Sequence, residues 1–199
     1  MTPQATELRT ADGVRSLHQW RSQTQRWPSR YRVLVVGPSF RDVVQHLGGW
    51  LFDITAGGRE VTVIAADQQN AHSLKIIGAS ALDFEQALPF TKLKPDAVVA
   101  SVDSYRSDER VRACVSEWVD LRLSSTFLWG QSIPAEFDGV VRASSHRVSS
   151  AGRAFKMYAQ QAVGITDEVS LQPETFWTGA EPANGQPHLL GGVSANQAQ

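Results

Sequence analysis

The chain has one cysteine, Cys114, in 199 residues. A single thiol excludes a disulfide framework and a cysteine-based metal knuckle. No apolar run approaches the roughly 20 residues that a membrane-spanning helix requires. No apolar core of a signal peptide opens the sequence, and the reading is a cytoplasmic protein without a membrane partner. Excess charge of either sign is also lacking: the formal net charge is −1. A general nucleic-acid binder usually carries a basic surplus, so no nucleic-acid partner is expected. Neither G-x-G-x-x-G nor the P-loop pattern occurs, which leaves a nucleotide site with little support.

What is present is ordinary soluble-protein chemistry, with 42% hydrophobic and 20% charged residues and a high count of six tryptophans. The length fits one domain with a real core. Val33–Val36 is a continuous apolar run rich in β-branched residues, suited to a strand covered on both faces. Val43, Val44, Leu47, Leu51 and Ile54 then recur at helical spacing, and Gly57-Gly58 stops that helix. Val61–Ala66 is a second buried strand, completing the length of a βαβ unit. Further strands are predicted at Leu74–Ile77, Ala97–Ala100, Thr126–Trp129 and Phe137–Arg142. Helices are predicted from Asp12 to about Trp27, over Leu82–Leu93 with a break near Pro89, over Asp108–Arg122 and over Val148–Val163. Cys114 falls on the apolar face of the third of these and is read as buried and inert. Alternating strands and helices imply an α/β fold, a three-layer, Rossmann-like, mostly parallel sheet flanked by helices. Residues 1–12 are expected to be disordered, 13–177 to form a single α/β domain, and 178–199 to be a flexible tail rich in Gly, Pro, Asn and Gln.

In such a sheet ligands bind beyond the carboxyl ends of the strands. Residues 37–43, GPSFRDV, sit there. The stretch VLVVGPSFRDVVQHLGGWLFDITAGGREVTVIAAD resembles the opening of the LmbE-like (PIG-L) zinc-dependent N-deacetylases. That family runs from an apolar strand through His-Pro-Asp-Asp-Glu and a Gly-Gly helix to a Glu-Val-Thr-Val-Val strand. LKIIGASALDFEQALPFTKLKPDAVV, VDSYRSDERVRACV, FKMYAQQ and PETFW resemble later segments of the same family. The resemblance implies the LmbE-like fold over roughly 31–177. It also implies where the family's chemistry would lie. The zinc-binding His position holds Ser39, the general-base Asp position holds Arg41, and the second zinc-binding Asp is Asp42. In the later motif Arg106 and Glu109 stand where the family has histidines. Only QQNAHS joins Asp67 to Leu74, so a wall that would line a sugar pocket is shortened.

Zinc takes neutral imidazole or carboxylate ligands, and guanidinium can neither ligate nor accept a proton. The reading is therefore a catalytically degenerate deacetylase homologue, a pseudoenzyme with no metal and no cofactor. Its polar cleft is lined by Ser39, Arg41, Asp42, Asp67, Arg106 and Glu109. The role is non-hydrolytic: binding a small polar or anionic molecule, or serving as the protein partner of another enzyme. The alternative is remodelled chemistry in the same cleft. Asp42 or Glu109 would then be the catalytic candidates, acting without a metal or in a metal-dependent amide hydrolase rebuilt from Asp42, Glu109 and His46 or His72.

Each residue also has a structural account. Ser39 and Asp42 are spaced as a helix cap. Arg41 in a first turn opposes the helix dipole, so it calls for a carboxylate such as Asp67 or Asp103, or an anionic ligand. Asp108 and Glu109 suit a helix N-terminus, and Arg106 could form a salt bridge across the vacated metal site. His46, beside Gly48-Gly49, reads as packed against a closely approaching element. Trp129 lines the rim or packs in the core. A role in protein interaction predicts an exposed apolar patch, with Trp20, Trp27 or the C-terminal segment as its candidates.

Overall fold

The computed structural model describes residues 13–26, 30–87, 93, 95–120, 125–167 and 170–179. The segments expected to be disordered or flexible, 1–12 and the tail from 180 on, lie outside these residues, as do Trp27 and 88–92. Eight strands form one sheet in the order β1-β4-β3-β2-β5-β6-β8-β7. They are β1 Val14–Arg15, β2 Arg32–Ser39, β3 Glu60–Asp67, β4 Ser80–Leu82, β5 Ala97–Ser101, β6 Ser125–Trp129, β7 Arg142–His146 and β8 Glu174–Thr178. The first six pair in parallel, while β8 runs antiparallel to β6 and to β7. The predicted α/β class, with a mostly parallel sheet between helices, is the observed one.

The helices are α1 Leu17–Arg26, α2 Phe40–Ala56, α3 His72–Ile76, α4 Phe84–Ala87, α5 Val102–Ser107, α6 Glu109–Asp120 and α7 Ser150–Ala162. Strand residues alternate between two cores. Val33, Val35, Val99, Phe127 and Phe176 pack with α2 and α7 on one face. Leu34, Val36, Val98, Leu128 and the α6 residues Val111, Val115 and Trp118 fill the other. This is why β2, β3 and β5 read as unbroken apolar runs: each side chain meets a helix whichever way it points.

Four predicted elements are corrected. Leu74–Ile77 is not a strand: Leu74–Ile76 are helical and Ile77 caps the helix; the strand lies beyond Gly78, whose φ of +77° makes the turn into Ser80–Leu82. Four apolar residues fit a buried helix turn as well as a strand, and periodicity cannot separate them. The helix assigned from Leu82 begins only at Phe84, because Leu82 ends β4 and the Asp83 carboxylate accepts the Gln86 N–H (2.9 Å). Phe137–Arg142 is not a strand: a 3-10 turn at Ala135–Phe137 leads through Gly139 (φ +75°) to β7 at Arg142–His146. That strand, RASSH, lies at the sheet edge and lacks the apolar run that announces a buried strand. The first helix starts at Leu17, since Val14 and Arg15 pair with β4.

Candidate functional site

β2 leads to β3 on one side and pairs with β5 on the other, so the topological switch point lies between the ends of β2 and β5. Ser39 ends β2 and caps α2: its Oγ accepts the N–H of Asp42 (3.0 Å), as the Ser-x-x-Asp spacing predicts. Cap formation turns Asp42 toward β6. There its Oδ2 accepts the indole N–H of Trp129 (3.2 Å), and its Oδ1 lies 3.2 Å from His46 Nδ1. The hydrogen bond to Asp42 raises the His46 pKa above its ordinary value, against the opposing effect of burial.

Trp129 is 1% exposed, and its ring edge lies over Gly37 at the end of β2. A Cβ on Gly37 would sit 3.1 Å from that ring and 2.8 Å from Val43. Gly37 is thus the residue that lets an indole enter the switch point. Of the two readings of Trp129, core packing is the observed one, joined by a hydrogen bond to Asp42.

The other expected site residues take partners of their own or stand exposed. Arg41 does not meet Asp67 or Asp103; its Nη1 donates to the Val163 carbonyl (2.7 Å) at the C-terminus of α7. A cation there is favoured by that helix's dipole, which answers the cost of placing it in the first turn of α2. Arg106 donates to the Ser132 carbonyl in the loop after β6, not to an acid across the site. Asp67 pairs in register with Ser39, but it is exposed and accepts the N–H of Gln69 (3.0 Å). Glu109 is exposed in the first turn of α6, while Asp108 accepts the N–H of Arg110 (2.9 Å) and pairs with its guanidinium. That guanidinium holds the Asp108 carboxyl below the usual range. His72 is exposed at the start of α3. Cys114 is buried.

The donor set does not fit zinc. Among the described residues no three His, Cys, Asp or Glu side chains come together as metal ligands. Asp42 is already shared between an indole N–H and an imidazole, and Arg41 has turned to α7.

Two features escaped the sequence reading. The first supports α2 from behind. Buried Glu174 accepts the N–H groups of Gly49 (3.0 Å) and Trp50 (2.8 Å) and pairs with Lys156 Nζ (2.6 Å). The close approach expected at Gly48-Gly49 is α7 and the residues leading into it: a Cβ on Gly48 would lie 3.2 Å from Lys156, one on Gly49 2.4 Å from Val148, and one on Gly152 2.7 Å from Asp53. The second is a cavity of about 380 Å³ on the β7–β8 side, lined by Gly130, Ser145, Gln172, Thr175 and Trp177 among others. It holds no charged side chain and none of the six predicted cleft residues. No sequence signal marked it, because its lining comes from segments that are far apart in the chain, Gly130, 143–145, 172–173 and 175–177.

No family model matches this chain, and no curated protein matches it in sequence. Solved structures do match in fold. A triple mutant of a deacetylase of the teicoplanin biosynthetic pathway aligns at a TM-score of 0.55 and 14% identity, covering 77% of this chain and 99% of that one. The pseudoaglycone deacetylase Dbv21 gives 0.54 and 14%, over 78% and 99%. The zinc-inhibited form of the teicoplanin deacetylase Orf2 gives 0.53 and 13%, over 77% and 99%. At these identities the similarity concerns architecture, and the architecture that this chain shares is that of the LmbE-like deacetylases.

Proposed function

We infer that this chain is a catalytically degenerate relative of the LmbE-like deacetylases, acting by binding and not by hydrolysis. The observation that carries this reading is Trp129, whose indole fills the switch point and occupies Asp42. A hydrolytic centre needs an open coordination position and a carboxylate ready to activate water. Here the retained acid is hydrogen-bonded to a buried side chain, and an arginine replaces the base.

Of the two binding roles, a protein partner is the better supported. Arg41 and Arg106, the groups that would hold an anion, are each engaged with a backbone carbonyl. Exposed apolar side chains on α7 support this role: Phe155, Met157 and Tyr158 are 42%, 39% and 56% exposed. A second reading keeps a small ligand but moves it to the β7–β8 cavity. Its uncharged lining suits a neutral polar molecule better than an anionic one.

The test is a deacetylase assay on N-acetylated amino sugars with zinc supplied. The reading expects no acetate release above background. Zinc-dependent release that Asp42→Asn abolishes would overturn it.

A further inference from the structure

The β7–β8 cavity stands on a floor that the rest of the protein holds in place. Side chains alternate along a strand, and Ser145 and Thr175 are opposite each other in the antiparallel ladder. They therefore share one face with the pair Ala143 and Trp177. The intervening residues point to the other face. There Phe176 packs on Trp50 (centroids 5.2 Å apart), and Glu174 holds Lys156 and two amides of α2. His146 Nε2 lies 2.8 Å from the Asp53 carboxylate, which also accepts the N–H of Ser149 (2.9 Å). Strands at the end of a sheet ordinarily fray. These two are pinned from behind, so the cavity keeps its shape without a ligand.

Its polar groups are also free. Among the described residues the hydroxyls of Ser145 and Thr175 and the side-chain amide of Gln172 have no hydrogen-bond partner. Asp42, Arg41 and Arg106 at the strand ends are, by contrast, all engaged. Each of the three free groups can both donate and accept, and Gln172 offers its two functions in one plane. Trp177 is half-buried and faces Ala143 across the ladder; so small a neighbour leaves room beside the indole.

We propose that this cavity binds an uncharged planar ring with a cyclic-amide edge, the chemistry of a pyrimidine base or its nucleoside. This assignment rests on the second reading above, a neutral ligand at β7–β8, and is independent of what the strand ends do. Charge makes the first selection: no cation lines the cavity to meet a phosphate or carboxylate, and no acid to meet an amine. Size makes the second. A volume of about 380 Å³ lies near the lower end of the roughly 300–1,000 Å³ of small-molecule pockets, which suits a single nucleoside and not a polymer. Pairing makes the third. A flat ring stacks on the indole, while its adjacent carbonyl and N–H meet the acceptor and donor that the Gln172 amide or the two hydroxyls supply.

Uridine titrated into the isotope-labelled full chain tests this, read on the Trp177 indole resonance, which is assigned by its loss in Trp177→Phe. Saturable shifts with a dissociation constant of about 1 mM or tighter are expected. Thr175→Val keeps the shape of an exposed residue and deletes its hydroxyl; it should weaken binding roughly three- to tenfold with Tm unchanged. Ala143→Trp fills the room beside the indole and should abolish binding. Uridine monophosphate should bind no tighter than uridine. A monophosphate bound more than about tenfold tighter, or uridine binding indifferent to both variants, would overturn the assignment. Methyl glucoside shifting the Trp177 resonance where uridine does not would overturn the planar ring and keep a neutral ligand. Silence with both would overturn the assignment and remove the support for a ligand at this cavity.

Discussion

At the scale of single residues the switch point is a chain of three side chains, Trp129 to Asp42 to His46. Because Asp42 favours the charged imidazole, the folded-state pKa of His46 lies above the ordinary value of about 6.5. The sign follows: the contact stabilises the fold fully below that value and is lost as pH rises through the folded-state value. An NMR titration of the His46 ring should therefore give a midpoint above that of an ordinary histidine, and Asp42→Asn should bring it back down. An unchanged midpoint in the variant would separate His46 from Asp42. Trp129 supplies both volume and an N–H. Trp129→Phe should cost about 1–3 kcal/mol in denaturant unfolding, part from lost packing and part from an acid left short of a donor. A neutral result would mean that the indole is not the structural plug that the account makes it.

At the scale of elements, α2 is fixed to α7 and β8 by a buried polar clamp. Glu174 serves two helix N–H groups and one lysine, with residue exposures of 7% and 6% for the acid and the lysine. Glu174→Ala should cost about 3–5 kcal/mol, because it strands a buried cation and two amides at once. Gly152→Ala should also destabilise, by about 1–3 kcal/mol, although alanine is the better helix former. Chemical denaturation of the two variants measures both. Much of this level was legible beforehand. The capped start of α2, its glycine stop and the tightness at Gly48-Gly49 were written in local spacing. The clamp was not, since Glu174 lies more than 120 residues from its amide partners and nothing in its own segment marks it as buried. The α3 and β7 corrections share one cause. Short elements are set by tertiary position, and their own periodicity says little.

At the scale of the whole molecule, the sheet order and the alternating cores place β2, β5 and β6 so that their ends converge. In this chain the convergence is filled by the indole of Trp129, which is 1% exposed and lies over Gly37. The sequence reading placed a site at this convergence and expected the family's ligand positions to be vacated, from Ser39, Arg41, Arg106 and Glu109. It expected a polar cleft lined by six residues; in the structure Arg41 bonds to the end of α7, Arg106 to the loop after β6, and Asp67, the register partner of Ser39, and Glu109 are exposed. A charged side chain goes to the strongest acceptor within reach, and helix-end and loop carbonyls are invisible in one dimension. Zinc separates the two outcomes most directly. Isothermal titration of the chelator-treated chain with zinc, beside elemental analysis of the untreated protein, should show no stoichiometric metal and no saturable site tighter than about 100 μM, because Asp42 alone cannot replace a three-ligand set. One tightly bound zinc per chain, lost in Asp42→Asn, would contradict the account and return the strand ends to hydrolytic chemistry.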